Sequence, residues 1–134
     1  MPIPIVEIHT TRSGWGNPQE IHFRVTTLSR QWATRPHLWR PPTDLYETEK
    51  EYIVRIEIAG MQDAELNIAI ESNELAIYGL RQPPSEQAAY HQLEVRFGEF
   101  LSIVDVPGMV DLDALSADYK DGFLKVTLPK VSKR

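Results

Sequence analysis

Ala117-Asp118-Tyr119-Lys120-Asp121-Gly122-Phe123-Leu124-Lys125-Val126-Thr127-Leu128-Pro129-Lys130 is the stretch on which the fold turns. It predicts two strands, Leu115 to Tyr119 and Phe123 to Leu128, joined through Asp121-Gly122, a dipeptide that readily supplies the positive φ of a tight turn. Ala117 is small enough for a crowded sheet interior. Pro129 ends the second strand because it has no N–H to give to a ladder.

Working back along the chain, a period of two recurs. Tyr52, Val54, Ile56 and Ile58 alternate with Ile53, Arg55 and Glu57, as a half-buried strand requires, because successive side chains point to opposite faces. Leu66, Ile68 and Ile70 alternate with Asn67 and Ala69, Ser72-Asn73 turns the chain, and Leu75 and Ile77 alternate with Ala76 and Tyr78, which makes a hairpin. Phe100, Val104 and Val106 mark a further strand ended by Pro107-Gly108, and Asp44-Leu45-Tyr46 a short one. About seven strands at hairpin-like spacing, with no helical pattern between them for a parallel crossover, predict an all-β chain folded as an antiparallel, immunoglobulin-like β-sandwich. Ile56, Ile68, Ile77, Val104 and Leu124 are its expected core.

A length of 134 residues is one domain's worth of chain, and an apolar share of 42% with 25% charged residues is ordinary globular usage. The net charge of −5 divides unevenly, because residues 1–40 hold five Arg against Glu7 and Glu20 while the remainder is strongly acidic. All three Trp and three of the four His also fall in that first part. The chain therefore reads as an N-terminal arm over 1–41, a sandwich domain over 42–130 and a short tail over 131–134, with Pro41-Pro42 as the extended stop between arm and domain. Within the arm, Asn17-Pro18-Gln19-Glu20 has the form of a helix start, and Ile21, Val25, Leu28 and Trp32 recur at helical spacing. A short amphipathic helix over about residues 18–33 is expected, its apolar face either packed on a domain or turned to a partner.

Chemistry is thinly represented. The absence of Cys excludes disulfides, thiolate metal sites and cysteine nucleophiles, and suits a reducing compartment. No Gly-x-Ser-x-Gly elbow, phosphate-binding Gly-rich loop or His-x-x-x-His pair occurs, so neither catalysis nor a cofactor is expected. Asp111 and Asp113 read as turn residues, and His22 and His37 as solvated arm residues. An acidic domain repels phosphate, which argues against nucleic acid, and no membrane surface is expected as a partner. There is no apolar run of the roughly 18 residues a membrane span needs, nor a basic start like that of a secretory signal, so a cytoplasmic location is the expectation.

From about residue 42 to 130 the order of motifs resembles the small heat shock proteins, the Hsp20 or α-crystallin family. The parts are Pro42-Thr43-Asp44-Leu45-Tyr46-Glu47, Glu51-Tyr52-Ile53-Val54 with Ala59-Gly60, Asn73-Glu74-Leu75-Ala76-Ile77-Tyr78-Gly79 before Arg81, and the closing stretch quoted first. The family's Glu-Arg…Gly-x-Phe motif reads here Glu94-Val95-Arg96-Phe97-Gly98-Glu99-Phe100, with Arg one place late, which moves it to the other face of a strand and leaves the family's interfacial ion pair open. The family's Leu-Pro-Gly is Ile58-Ala59-Gly60, and no Ile-x-Ile motif follows Pro129.

The resemblance implies an ATP-independent holdase for unfolded or partly unfolded client proteins, built from self-associating subunits. The alternative is a CS-type co-chaperone or scaffold domain serving one dedicated partner. It implies a dimer in which Ala89-Tyr90-His91 pairs with Asp44-Leu45-Tyr46 of a second chain, and a groove lined by Ile68, Ile70, Leu115 and Ala117 that seats an apolar tail motif. Without that motif at the C-terminal end, dimers or small oligomers are expected. Ile3-Pro4-Ile5 is an Ile-x-Ile sequence at the opposite end and is a candidate occupant of the groove. Ile21, Val25, Leu28 and Trp32 are the candidate client-binding residues.

Overall fold

A computed structural model describes residues 6–12 and 19–26 as backbone, and residues 38–61, 66–71 and 73–131 with their side chains. Among the described residues nine strands build two sheets: β1 (Val6–Arg12), β2 (Gln19–Thr26), β3 (Thr43–Glu47), β4 (Glu51–Glu57), β5 (Leu66–Glu71), β6 (Glu74–Arg81), β7 (Gly98–Asp105), β8 (Ser116–Lys120) and β9 (Phe123–Pro129). The order is β1-β2-β5-β6-β7 in one sheet and β3-β4-β9-β8 in the other. Neighbours are antiparallel except β2 and β5, which run parallel with Val25 opposite Ile68 and Thr26 opposite Ala69.

The closing stretch folds as its spacing predicts. Ser116 faces Thr127 and Lys120 faces Phe123 across the β8–β9 hairpin. Asp121 and Gly122 both take positive φ, 54° and 83°, the pair of values that matches a two-residue turn to the twist of the strands it joins. Opposite β9, β4 pairs Ile56 with Leu124 and Val54 with Val126.

The inner faces meet as the alternation requires. Tyr52, Val54, Ile56, Leu124, Val126 and Leu128 of one sheet share a single buried cluster with Ile68, Ile70, Leu75, Ile77, Phe100 and Val104 of the other. The five residues expected at the centre of the core are all buried. Ile53 lies on the outward face of β4, yet it is only 4% exposed, because its ladder partners Tyr46 and Thr127 flank it there. One polar contact pins the chain leaving β4 and another ties the two layers. The Tyr119 hydroxyl donates to the Ile58 carbonyl at 2.7 Å and accepts from the Met61 N–H at 3.4 Å. Ser102, buried on β7, shares a 2.6 Å hydrogen bond with the Thr43 hydroxyl of β3.

One expectation is corrected. Of the helix expected over 18–33, residues 19–26 form β2; the rest of that span lies outside the described residues. Ile21 and Val25 are four apart, so they share a face at either period and cannot tell helix from strand. Phe23 decides between them. It joins Ile21 and Val25 in an alternation with Glu20, His22 and Arg24, and the chain can then satisfy its backbone groups by pairing with β1 on one side and β5 on the other.

Candidate functional site

Each sheet has two outer strands, and what lies beside each one decides where another chain can pair. Beside β5 runs β2, and β1 lies against β8. Along β7 the Trp39 backbone forms a parallel bridge at Phe100, its N–H donating to the Glu99 carbonyl at 3.3 Å and its carbonyl accepting from the Leu101 N–H at 3.0 Å. The indole packs 5.7 Å from the Phe100 ring and donates to the Gly98 carbonyl at 3.3 Å. Arg40 continues this strap, reaching Ser102 Oγ at 3.3 Å and the Ile103 carbonyl at 3.4 Å. Among the described residues β3 pairs with β4 alone, so its outer N–H and C=O groups face away from the sheet.

Two ion pairs stand near the ends of β3. Asp44 accepts from Arg55 at 2.7 Å, and the guanidinium lies 5.5 Å from the Tyr46 ring centroid. Glu47 accepts from Lys130 at 2.7 Å, and the same ammonium donates to the Thr48 carbonyl at 2.9 Å and sits over the Tyr52 ring at 5.0 Å. Hydrogen bonding to these carboxylates raises the pKa of both Arg55 and Lys130 above their ordinary values. Leu45 and Tyr46 are 37% and 38% exposed. With Thr43, Asp44 and Arg55 they line an open depression of about 640 Å³.

The second surface is the connection between β6 and β7. Residues 82–97 form no strand, and Tyr90, Leu93 and Val95 are 48%, 67% and 63% exposed. Leu93 and Val95 alternate with Glu94 and Arg96, the pattern of a strand with one apolar face, although nothing in the described chain pairs with it. The loop is closed at its base by Arg81, which donates from Nε and Nη2 to the Arg96 carbonyl, the former at 2.8 Å, and from Nη1 to the Ala59 carbonyl at 3.2 Å.

The candidate dimer residues therefore lie on two exposed surfaces, Asp44, Leu45 and Tyr46 on the outer strand β3 and Ala89, Tyr90 and His91 in the loop. The groove residues Ile68, Ile70, Leu115 and Ala117 are buried in the core cluster, with β2 beside β5 and β1 against β8. Of the candidate client-binding residues, Ile21 and Val25 are in β2, while Leu28 and Trp32, like Ile3-Pro4-Ile5, lie outside the described residues. Sequence reasoning gives no site role to Trp39, Arg81, Leu93 or Val95. The period of two at Leu93 and Val95 was a usable signal; the contacts of Trp39 and Arg81, both made across long sequence separations, gave none. No group of three or more His, Asp or Glu able to hold a metal ion occurs among the described residues, and none of their helices is long and apolar enough to cross a membrane.

Comparison with known proteins agrees on one family. The profile of the Hsp20/alpha crystallin family matches residues 44–134. The chain is 34% identical over 92 residues to small heat shock protein C4 of Rickettsia felis, a match covering 67% of this chain and 56% of that protein, so it spans little more than half that relative's length. Among solved structures it is similar to HSP18.5 from E. histolytica, with a TM-score of 0.65 at 28% identity, covering 72% of this chain and 92% of that one. It is similar also to heat shock protein 16.0 from Schizosaccharomyces pombe, with a TM-score of 0.65 at 26% identity, covering 80% and 78%.

Proposed function

The chain belongs to the Hsp20/alpha crystallin family, and from that premise we propose that it is an ATP-independent holdase, one that binds partly unfolded clients and limits their aggregation. Family membership supports a chaperone role in general. The observation that carries the finer reading is the apolar surface outside the core: Leu93, Val95 and Tyr90 are exposed in one loop and Leu45 and Tyr46 on one outer strand, with Met109, Phe123 and Val131 exposed elsewhere on the sandwich. A protein with exposed apolar area of its own lowers its free energy by covering both surfaces together, and that step needs no nucleotide.

The same two surfaces are complementary in kind. A strand with free backbone groups on one side takes up an extended segment by β-addition, with ladder hydrogen bonds giving affinity and alternate side chains giving selectivity. The loop therefore pairs with β3 of a second copy, through Ala89-Tyr90-His91 and on toward Val95, and the chain works as a dimer or small oligomer. The groove between β5 and β8 seats an apolar segment of the arm, a reading supported by β2 running beside β5 and β1 beside β8. On this view residues 1–41 serve as the regulatory arm and 42–130 as the assembling domain.

Light scattering of a heated, unrelated client, with and without this protein and in the absence of ATP, tests the proposal. Suppression of scattering for several unrelated clients at near-stoichiometric subunit ratios is expected. No suppression would refute the holdase reading, and suppression confined to a single native partner would instead identify a dedicated co-chaperone.

A further inference from the structure

Arg81 closes the base of the loop and also reaches the exit of the arm. Its guanidinium lies 4.6 Å from the Trp39 ring centroid and 5.4 Å from that of Phe97, so one cation touches the two rings that flank the strap on β7 and the return of the loop. Its hydrogen bonds to Arg96 and Ala59 end on main-chain carbonyls, and a planar fork of donors is suited to holding several carbonyls at fixed angles. Partial burial lowers its pKa, in keeping with a guanidinium withdrawn from water between rings.

We propose that Arg81 is the positioning residue of the pairing loop: it fixes where the exchanging segment ends and links the loop's aim to the docking of the arm's exit at Trp39. The Arg96 carbonyl is already engaged by Arg81, so a segment laid on a partner's β3 runs no further than Val95, which places Leu93 and Val95 as its last alternating apolar pair. Because Trp39 and Phe97 stack on the same guanidinium, movement of the arm's exit loosens the loop's return. This rests on the loop-to-β3 pairing proposed above.

The test compares Arg81→Lys, Arg81→Gln, Trp39→Leu and the Arg81→Gln/Trp39→Leu double variant in the full chain. Sedimentation over a dilution series reads the dimer dissociation constant, and hydrogen exchange reads the loop segment covering residues 90–99. Arg81→Gln should raise the dissociation constant and speed exchange in that segment by tenfold or more. Arg81→Lys, which keeps the charge but loses the fork, should recover only part of either loss. Trp39→Leu should act in the same direction, and the double variant should fall short of the product of the two single effects. Loop exchange and dimer affinity within twofold of the parent in Arg81→Gln would overturn the proposal, as would full rescue by Arg81→Lys. Exchange reports on the clamp within one chain, so a parent that stays monomeric refutes the pairing while faster exchange in Arg81→Gln still supports the clamp.

Discussion

Replacing Ile56 by Ala tests the phase of the sandwich at its centre. Ile56 has no exposed surface and sits across the ladder from Leu124, itself without exposed surface. The substitution removes three carbon groups, worth about 0.8 kcal/mol each in transfer free energy, or roughly 2.4 kcal/mol. Val54 and Val126 lie in the same cluster and are held by ladders on both sides, so the space closes only partly, and a cavity term of about 1 kcal/mol is added. The expected loss is about 3–4 kcal/mol. For a domain of about 90 ordered residues, each kcal/mol moves the thermal midpoint by roughly 5 °C, so a fall of about 15–20 °C should appear in a circular-dichroism melt. Glu57, next in sequence and exposed, serves as the control: Glu57→Ala should lie within about 0.5 kcal/mol of the parent. If Ile56→Ala proves neutral while Glu57→Ala is costly, the strand is one residue out of phase and the inner face has been assigned to the wrong side chains.

Gly122→Ala should destabilise by at least about 1 kcal/mol in a urea titration, since its φ of 83° is left-handed and a Cβ there would stand 3.1 Å from that of Ala59; a neutral result would mean the turn is not of this type. Ser102→Ala should cost about 1–2 kcal/mol by removing the partner of both the Thr43 hydroxyl and Arg40 Nε, and in a double-mutant cycle with Thr43→Val, which also gives up the bond to the Pro41 carbonyl, the two changes should cost less together than the sum of the singles, whereas strictly additive costs would show the two hydroxyls are uncoupled. Lys130 has its folded-state pKa raised by Glu47, so what the pair adds to stability is complete below the ordinary lysine value of about 10.4 and is lost as pH rises through the folded-state value. Parent and Lys130→Met should therefore differ by a constant amount at pH 7 and 9, and the gap should close only as pH rises through the raised folded-state value; a gap that widens above pH 10 would contradict the assignment.

The sandwich was legible because its strands are written in local pattern. Tyr52 to Ile58, Leu66 to Ile70 and Phe123 to Leu128 each carry one strongly apolar set of alternate residues, and a period of two leaves little choice of phase. The arm misled for a physical reason. Ile21 and Val25 satisfy both periods, and what favours the strand is the free edge of β5, a partner more than forty residues away that no local window contains. Ile53 shows the same limit, since its burial on an outward face comes from neighbours on two other strands. The exposed surfaces were legible in part: β3 and the Ala89-Tyr90-His91 segment were found through family resemblance, whereas the clamp at Arg81 depends on three segments meeting in space.

The arrangement of edges explains how a sheet protein with a pairing strand can avoid indiscriminate pairing. An open edge accepts any extended chain, including those that lead to aggregates. Here the edge of β7 is occupied by Trp39, that of β5 by β2, and β1 lies against β8, so β3 is the outer strand left without cover among the described residues. Its five residues are too few to template a long ladder, and Asp44 and Glu47 stand near its two ends. The ladder with β4 keeps the strand extended, and Arg55 and Lys130 engage those carboxylates. A casual partner would gain few hydrogen bonds there and would meet charge at both ends. A segment held at the right length and angle gains those hydrogen bonds without first being ordered, which is the advantage of preorganisation. On the proposed pairing, the segment ending at Val95 would fit that description, because Arg81 ties its root at the Arg96 carbonyl, and selectivity at β3 would follow from that tie more than from the strength of any single contact.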